Sequence, residues 1–322
     1  VVPPPPTTDA EVAPFARAIG LPGIVDMHTH FMPPAIQDAV WRHFDSLEPP
    51  WPVLYRWPED RRLEMLARLG VRHHTALAYA HRPGVAGWLN RYTLALAARE
   101  AQVVPTFTFY PEPGAAEEVG RALAAGGACA KVHLQVGRFD ANDPLLDEVW
   151  AQLEQAAIPI VLHAGAVEDG SGGEEWCGPG PVARLLERFP ALHLVLAHLG
   201  APDHAAFLDL ARRHPLMCLD TAMALVGWPR LGQPPRDLDR RLAELDGRVV
   251  WGSDFPTIPV PYADQVAALV RLGLGEGFLR RVLWETPGRL LGIGTDESGG
   301  QAGAARAPFG PGEVSGQERR SR

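Results

Sequence analysis

The strongest constraint on this chain is an alternation in its sequence. Short apolar runs occur at 24–28, 71–80, 102–109, 128–134, 158–163, 192–198, 216–220 and 248–254. Between and after them lie stretches with helical spacing, at 59–69, 87–100, 114–125, 144–156, 181–189, 203–213, 237–245 and 262–273. Several of these open on a cap or an early proline, as at Asp143-Pro144 and Asp203-His204, and several close on glycine, as at Gly70 and Gly273. Apolar runs buried on both faces and joined by crossover helices require parallel strands. Eight such units in about 270 residues match the α/β class in its (β/α)8 TIM-barrel form. A doubly wound open sheet shares the alternation, but no GxGxxG follows the first run.

Composition narrows the function. With 46% apolar residues the chain can bury a full core, and a net charge of −8 lacks the basic stripe a nucleic-acid binder needs. No run of about 18 apolar residues is present, and VVPPPPTTDAEV has neither a basic nor an apolar leader region, so no membrane partner and a cytoplasmic setting are expected. Cys129, Cys177 and Cys218 have no CxxC spacing, which argues against a disulfide framework or a thiolate zinc site. The expected organisation is an N-terminal extension over 1–20 lying outside the core, a catalytic barrel over 21–294 and a disordered tail over 295–322. A homo-oligomer is compatible with all of this.

The ends of the apolar runs carry the chemistry. The first ends in His28-Thr29-His30, the fifth in His163, the sixth in His198 and the eighth in Asp254. In a barrel these strand ends converge on one mouth, where active sites are built. Side chains alternate along a strand with period two, so Asp26, His28 and His30 share the inward face. Imidazoles with carboxylates suit zinc or a similar divalent ion, and a catalytic site keeps one position open. Such an ion activates water and polarises a carbonyl, while an imidazole can take and return the proton at neutral pH. Asp220, closing the seventh run, reads either as a partner of the ligands or as a helix cap.

At this point the motifs resemble a known family. DMHTHF, HAG, AHLG and WGSDFP, in this order over about residues 21–292, resemble the amidohydrolase superfamily, in its branch of aminocarboxymuconate semialdehyde decarboxylase-like metal-dependent hydrolases. The resemblance implies that His28, His30, His163 and Asp254 ligate one divalent metal, zinc by expectation. It implies that His198 is the acid/base, with Asp254 also orienting the water. WETPGRLLG at 284–292 departs from the branch, which often has an Asn-containing turn there.

Substrate contacts are expected from the βα loops. The loop 31–58 offers Arg56 among Trp41, Trp51, Tyr55 and Trp57, a clamp suited to a carboxylate on a flat molecule. The end of the second run offers His81 and Arg82, and the fourth places Lys131 and His133 on one face. The glycine-rich stretch 167–181 reads as a lid. Lys131 is the one lysine among 30 basic residues, and lysine can shift its pKa or become carboxylated where arginine cannot. We expect it uncarboxylated, pairing with a substrate carboxylate or with Asp254 beside a single metal. The expected activity is metal-dependent hydrolysis of an amide, lactone or related bond in a small, carboxylated molecule. The alternative is nonoxidative decarboxylation of an unsaturated or aromatic acid.

Overall fold

The computed structural model describes residues 2–167 and 172–294. Its strands are β1 (Ile24–Asp26), β2 (Val71–His74), β3 (Thr106–Thr108), β4 (Cys129–His133), β5 (Pro159–His163), β6 (His193–Leu196), β7 (Cys218–Asp220) and β8 (Val249–Val250). Each falls inside one of the apolar runs. All are parallel to their neighbours, with β1 paired to β2 and β3 through β8 paired in sequence order.

Backbone hydrogen bonds outside the regular ladders close the ring. Between β2 and β3, the His74 amide donates to the Gln102 carbonyl at 2.9 Å and the Val104 amide to the His74 carbonyl at 2.8 Å. Between β8 and β1, the Met27 amide donates to Trp251 at 3.0 Å and the Asp254 amide to His28 at 2.7 Å. The second junction places the strand ends bearing His28 and Asp254 side by side. The result is a (β/α)8 TIM barrel.

The helices follow the same alternation. They are α1 (Asp9–Ala18), α2 (Pro34–Ser46), α3 (Glu59–Arg68), α4 (Ala86–Arg99), α5 (Ala115–Ala124) and the single turn α6 (Leu134–Gly137). There follow α7 (Asp147–Ala156), α8 (Pro179–Arg188), α9 (His204–Arg213), α10 (Leu238–Glu244), α11 (Tyr262–Arg271), α12 (Gly275–Arg280) and α13 (Thr286–Leu291). The Asp143 carboxylate caps the turn leading into α7 by accepting from the Leu145 amide at 2.9 Å. Gly70, just past α3, has φ +81°, a left-handed conformation that glycine adopts without steric cost.

Beyond the additional α6, α12 and α13, two regions differ from the sequence expectation. The stretch 31–58, read as a loop, contains the 13-residue helix α2, with Pro34 at its start. The segment 1–20, expected outside the core, contains α1, whose Val12, Phe15 and Ala16, with Ile19 just beyond, are buried in that core. Asp9 fastens it in place, accepting from the Tyr55 hydroxyl at 2.5 Å and from the Ala263 amide at 2.9 Å. The expected tail over 295–322 lies outside the described residues.

Burial of α1 makes it part of the barrel's stability. Truncating Phe15→Ala should cost about 3 kcal/mol in urea denaturation, the usual penalty for emptying a buried aromatic site. An unchanged midpoint would show that α1 is peripheral.

Candidate metal centre and active site

The strand ends do converge. The ligand atoms of His28, His30 and Asp254 lie within 4.8 Å of one another, as do those of His28, His198 and Asp220. The partners of each ring show which nitrogen bears its proton. His28 Nδ1 lies 2.8 Å from the Asp220 carboxylate, and His30 Nδ1 lies 2.9 Å from the Leu77 carbonyl oxygen. Neither oxygen can donate, so Nδ1 is the protonated nitrogen in both neutral rings, and Nε2 presents its lone pair. Those two Nε2 atoms face Asp254 Oδ1, at 3.6 Å from His28 and 2.9 Å from His30. Two lone pairs and a carboxylate oxygen turned on one point make a ligand set of the kind that holds a cation. The donor set therefore fits a divalent metal ion.

His198 is held in the same way. Its Nδ1 donates to the Ala222 carbonyl at 2.9 Å, and its amide donates to Asp220 Oδ1 at 2.8 Å, leaving Nε2 as the ring's basic atom. His198 and Asp254 both adopt left-handed backbone, φ +58° and +67°. Left-handed backbone is uncommon for residues other than glycine and costs of order 1–3 kcal/mol where it is strained, and such residues cluster at functional sites. His163 stands beside these groups but outside the two clusters. Its ring stacks on His133, with centroids 3.8 Å apart, and its Nε2 is buried with no hydrogen-bond partner among the described residues.

Burial dominates the electrostatics. It pushes His28, His133 and His163 well below the ordinary imidazole range; next in weight are the Lys131 charge for His28 and His133, and the His133 ring for His163. Burial also brings Lys131 down to about 8, with Asp220 and Asp254 opposing it. For Asp254 burial acts upward, but the adjoining His30, His28 and His198 rings, whenever they carry a second proton, outweigh it and hold the carboxyl at about 2. Neutral imidazoles and an ionised carboxylate are the protonation states a metal requires. Asp26 shares the inward face of β1 but accepts from the Tyr262 hydroxyl at 2.9 Å and from the His28 and Ser253 amides, and it joins neither cluster.

His28, His30, His163, His198 and Asp254 line a cavity of about 80 Å³, together with Lys131, His133 and an apolar wall that includes Val40, Phe44 and Trp51. Lys131 is buried, and its Nζ lies 3.4 Å from His28 Nε2. Three other residues expected to bind substrate lie elsewhere. Arg56 pairs with Asp45 at 2.6 Å and donates to the Trp41 carbonyl, fastening its loop to α2. His81 faces an adjoining groove shared with Tyr79 and His133, and Arg82 is exposed. Residues 168–171 of the expected lid lie outside the described residues.

The sequence reading missed the α2 face and Gly252 and left Asp220 open. Gln37, Val40 and Phe44 of α2 line the cavity, and their spacing puts them on one helix face, a periodicity that was available in the sequence. Asp220, left open between two roles, is the carboxylate that orients His28. Gly252 matters through what it lacks, since a Cβ there would lie 2.7 Å from His28 Cβ.

The family model described as amidohydrolase matches residues 25–293. No curated protein sequence matches the chain. Among solved structures, an uncharacterized TIM-barrel protein from Bordetella bronchiseptica is 18% identical with a TM-score of 0.67, covering 84% of this chain and 99% of its own. The 5-carboxyvanillate decarboxylase of Sphingomonas paucimobilis is 17% identical with a TM-score of 0.60, covering 85% of this chain and 100% of its own. The dihydroorotase of Campylobacter jejuni is 14% identical with a TM-score of 0.53, covering 85% of this chain and 84% of its own.

Two substitutions test how His28 is held. Asp220→Ala removes its partner and Gly252→Ala crowds its Cβ, and each should weaken zinc affinity about 10- to 100-fold in competition with a chelating dye. Unchanged affinity in both would mean that His28 is not held for a metal.

Proposed function

The chain belongs to the amidohydrolase family, and from that premise we propose that it is a metal-dependent hydrolase of an amide, lactone or related bond in a small, carboxylated molecule. The observation that supports this best is the set of lone pairs from His28 and His30 turned toward Asp254, with a second basic nitrogen, on His198, beside them. We propose zinc as the ion, held by His28, His30, His163 and Asp254, since nitrogen and carboxylate donors suit it. When bound, such an ion lowers the pKa of water from 15.7 to about 7 and polarises a carbonyl oxygen.

The side chains supply the rest. His198 Nε2 takes a proton from the attacking water and returns it to the leaving group. The Ala222 carbonyl keeps the ring's other proton in place, so the transfer occurs at Nε2 alone. Asp254, ionised in its buried setting, orients the water. Lys131 provides a buried cation for a substrate carboxylate, and Phe44 and Trp51 cover its apolar body.

Decarboxylation of an unsaturated or aromatic acid is the second reading, favoured by the same Lys131, which would hold the departing carboxylate. A member of this fold bears the name of a 5-carboxyvanillate decarboxylase. A panel of lactones, amides and carboxylated aromatics separates the two. Uptake of one water supports the first reading, and release of CO2 supports the second.

Metal analysis by mass spectrometry of the native protein should find one zinc per chain, reduced in His163→Ala and unchanged in Lys131→Ala, which loses substrate binding or turnover instead. Two metals per chain, falling when Lys131 is replaced, would identify a carboxylated lysine bridging a pair of ions. His198→Asn should retain the metal and lose turnover by about 10²- to 10⁴-fold. Undiminished turnover would remove His198 from the chemistry.

A further inference from the structure

Arg62 is a buried cation, 3% exposed, that forms no ion pair among the described residues. Its guanidinium lies over the Phe31 ring, 4.9 Å from the centroid, and its Nη1 donates to Gln37 Oε1 at 2.9 Å and reaches the His30 carbonyl at 3.5 Å. Arginine has donors only, so it fixes the orientation of the glutamine amide: the oxygen must face Arg62. The other limb, Nε2, is then left over. It is buried and has no hydrogen-bond partner among the described residues.

An orphaned buried donor costs roughly 1–3 kcal/mol, and such groups call for an explanation. Its position supplies one. Gln37 lines the cavity and Arg62 does not, so the amide spans the wall between them. Gln37 is only 2% exposed, on the helix face that also carries Val40 and Phe44 into the same cavity. Arg62 in turn touches the carbonyl of His30, so the residue that sets the amide also contacts the ligand-bearing strand end.

We propose that Gln37 is a specificity-determining residue whose Nε2 donates to an acceptor oxygen of the substrate, a carboxylate oxygen in particular, with Arg62 as the positioning residue that keeps the donor turned inward. This rests on the reading of the cavity as the active site. The rigid donor favours molecules that offer a lone pair at that point, and a group offering an N–H there meets another N–H.

Gln37→Glu tests this directly. The glutamate keeps one oxygen on Arg62 but presents an acceptor to the cavity in place of a donor. Benzoate and benzamide serve as probes in calorimetric titration of the zinc-loaded chain. Benzoate should bind about tenfold more weakly or worse in the variant, the usual scale for a lost hydrogen bond to a charged group, while benzamide, which has N–H groups to offer, should hold or gain. Gln37→Met, uncharged and of nearly the same length, carries the same expectation for benzoate should the glutamate variant fail to fold. Equal loss for both probes in Gln37→Glu would reduce Gln37 to a structural role and overturn the proposal, as would undiminished benzoate binding or a wild-type chain that binds neither probe. Zinc content measured on the same samples separates this inference from the functional reading. A chain that takes up no zinc yet shows the switch contradicts the metal assignment and keeps Gln37 as selector, and full zinc without the switch does the reverse.

Discussion

The candidate site depends on one carboxylate. Asp220, at the end of β7, accepts from His28 Nδ1 with one oxygen and from the His198 and Ala222 amides with the other. It thereby ties together the ends of β1, β6 and β7. It also fixes the tautomer of His28, and with it the direction of the lone pair that faces Asp254 and Lys131. Burial pushes the Asp220 carboxyl above its ordinary range, opposed by His198, the amides and Lys131, so its hydrogen bonds are needed to hold the anion there. The close approach leaves no room for a side chain at Gly252, whose neighbours are the Cβ atoms of His28 and Asp220.

The other constraints follow from this packing. Four buried imidazoles, a buried ammonium and the Asp254 carboxylate share one small cavity, with the buried Asp220 carboxylate behind His28, an arrangement too costly to persist as mere filling. Each imidazole of the set His28, His30 and His198 has its Nδ1 committed to an oxygen acceptor. The three basic nitrogens are consequently all turned the same way, into the cavity, by parts of the fold that do not themselves line it. Left-handed backbone at His198 and Asp254 fits the same pattern, in which local strain is tolerated where it aims a functional group.

How much of this the sequence disclosed depended on whether the signal was local. The barrel was legible because eight apolar runs and their helices repeat, and every strand falls within its run. The strand-end residues were legible because the period of two places His28 and His30 on one face. The tautomers were not, since Leu77 and Ala222 act through backbone carbonyls that no side-chain pattern encodes. Arg56 drew attention because it stands among tryptophans, yet its partner is Asp45, eleven residues earlier, and its pairing could be known only once α2 had formed. Gln37 and Arg62 lie 25 residues apart on different helices, and only the folded chain brings them together. The burial of α1 was hidden by the proline-rich start, which obscured the apolar positions Val12, Phe15 and Ile19.

The central claim is that His28 and His30 present Nε2 lone pairs to one metal ion. X-ray absorption spectroscopy of the zinc-loaded protein addresses it directly. Nitrogen or oxygen scatterers at about 2.0–2.1 Å, with the outer-shell features of imidazole rings, are the expected result. A sulfur scatterer at about 2.3 Å, or a first shell without imidazole, would contradict it.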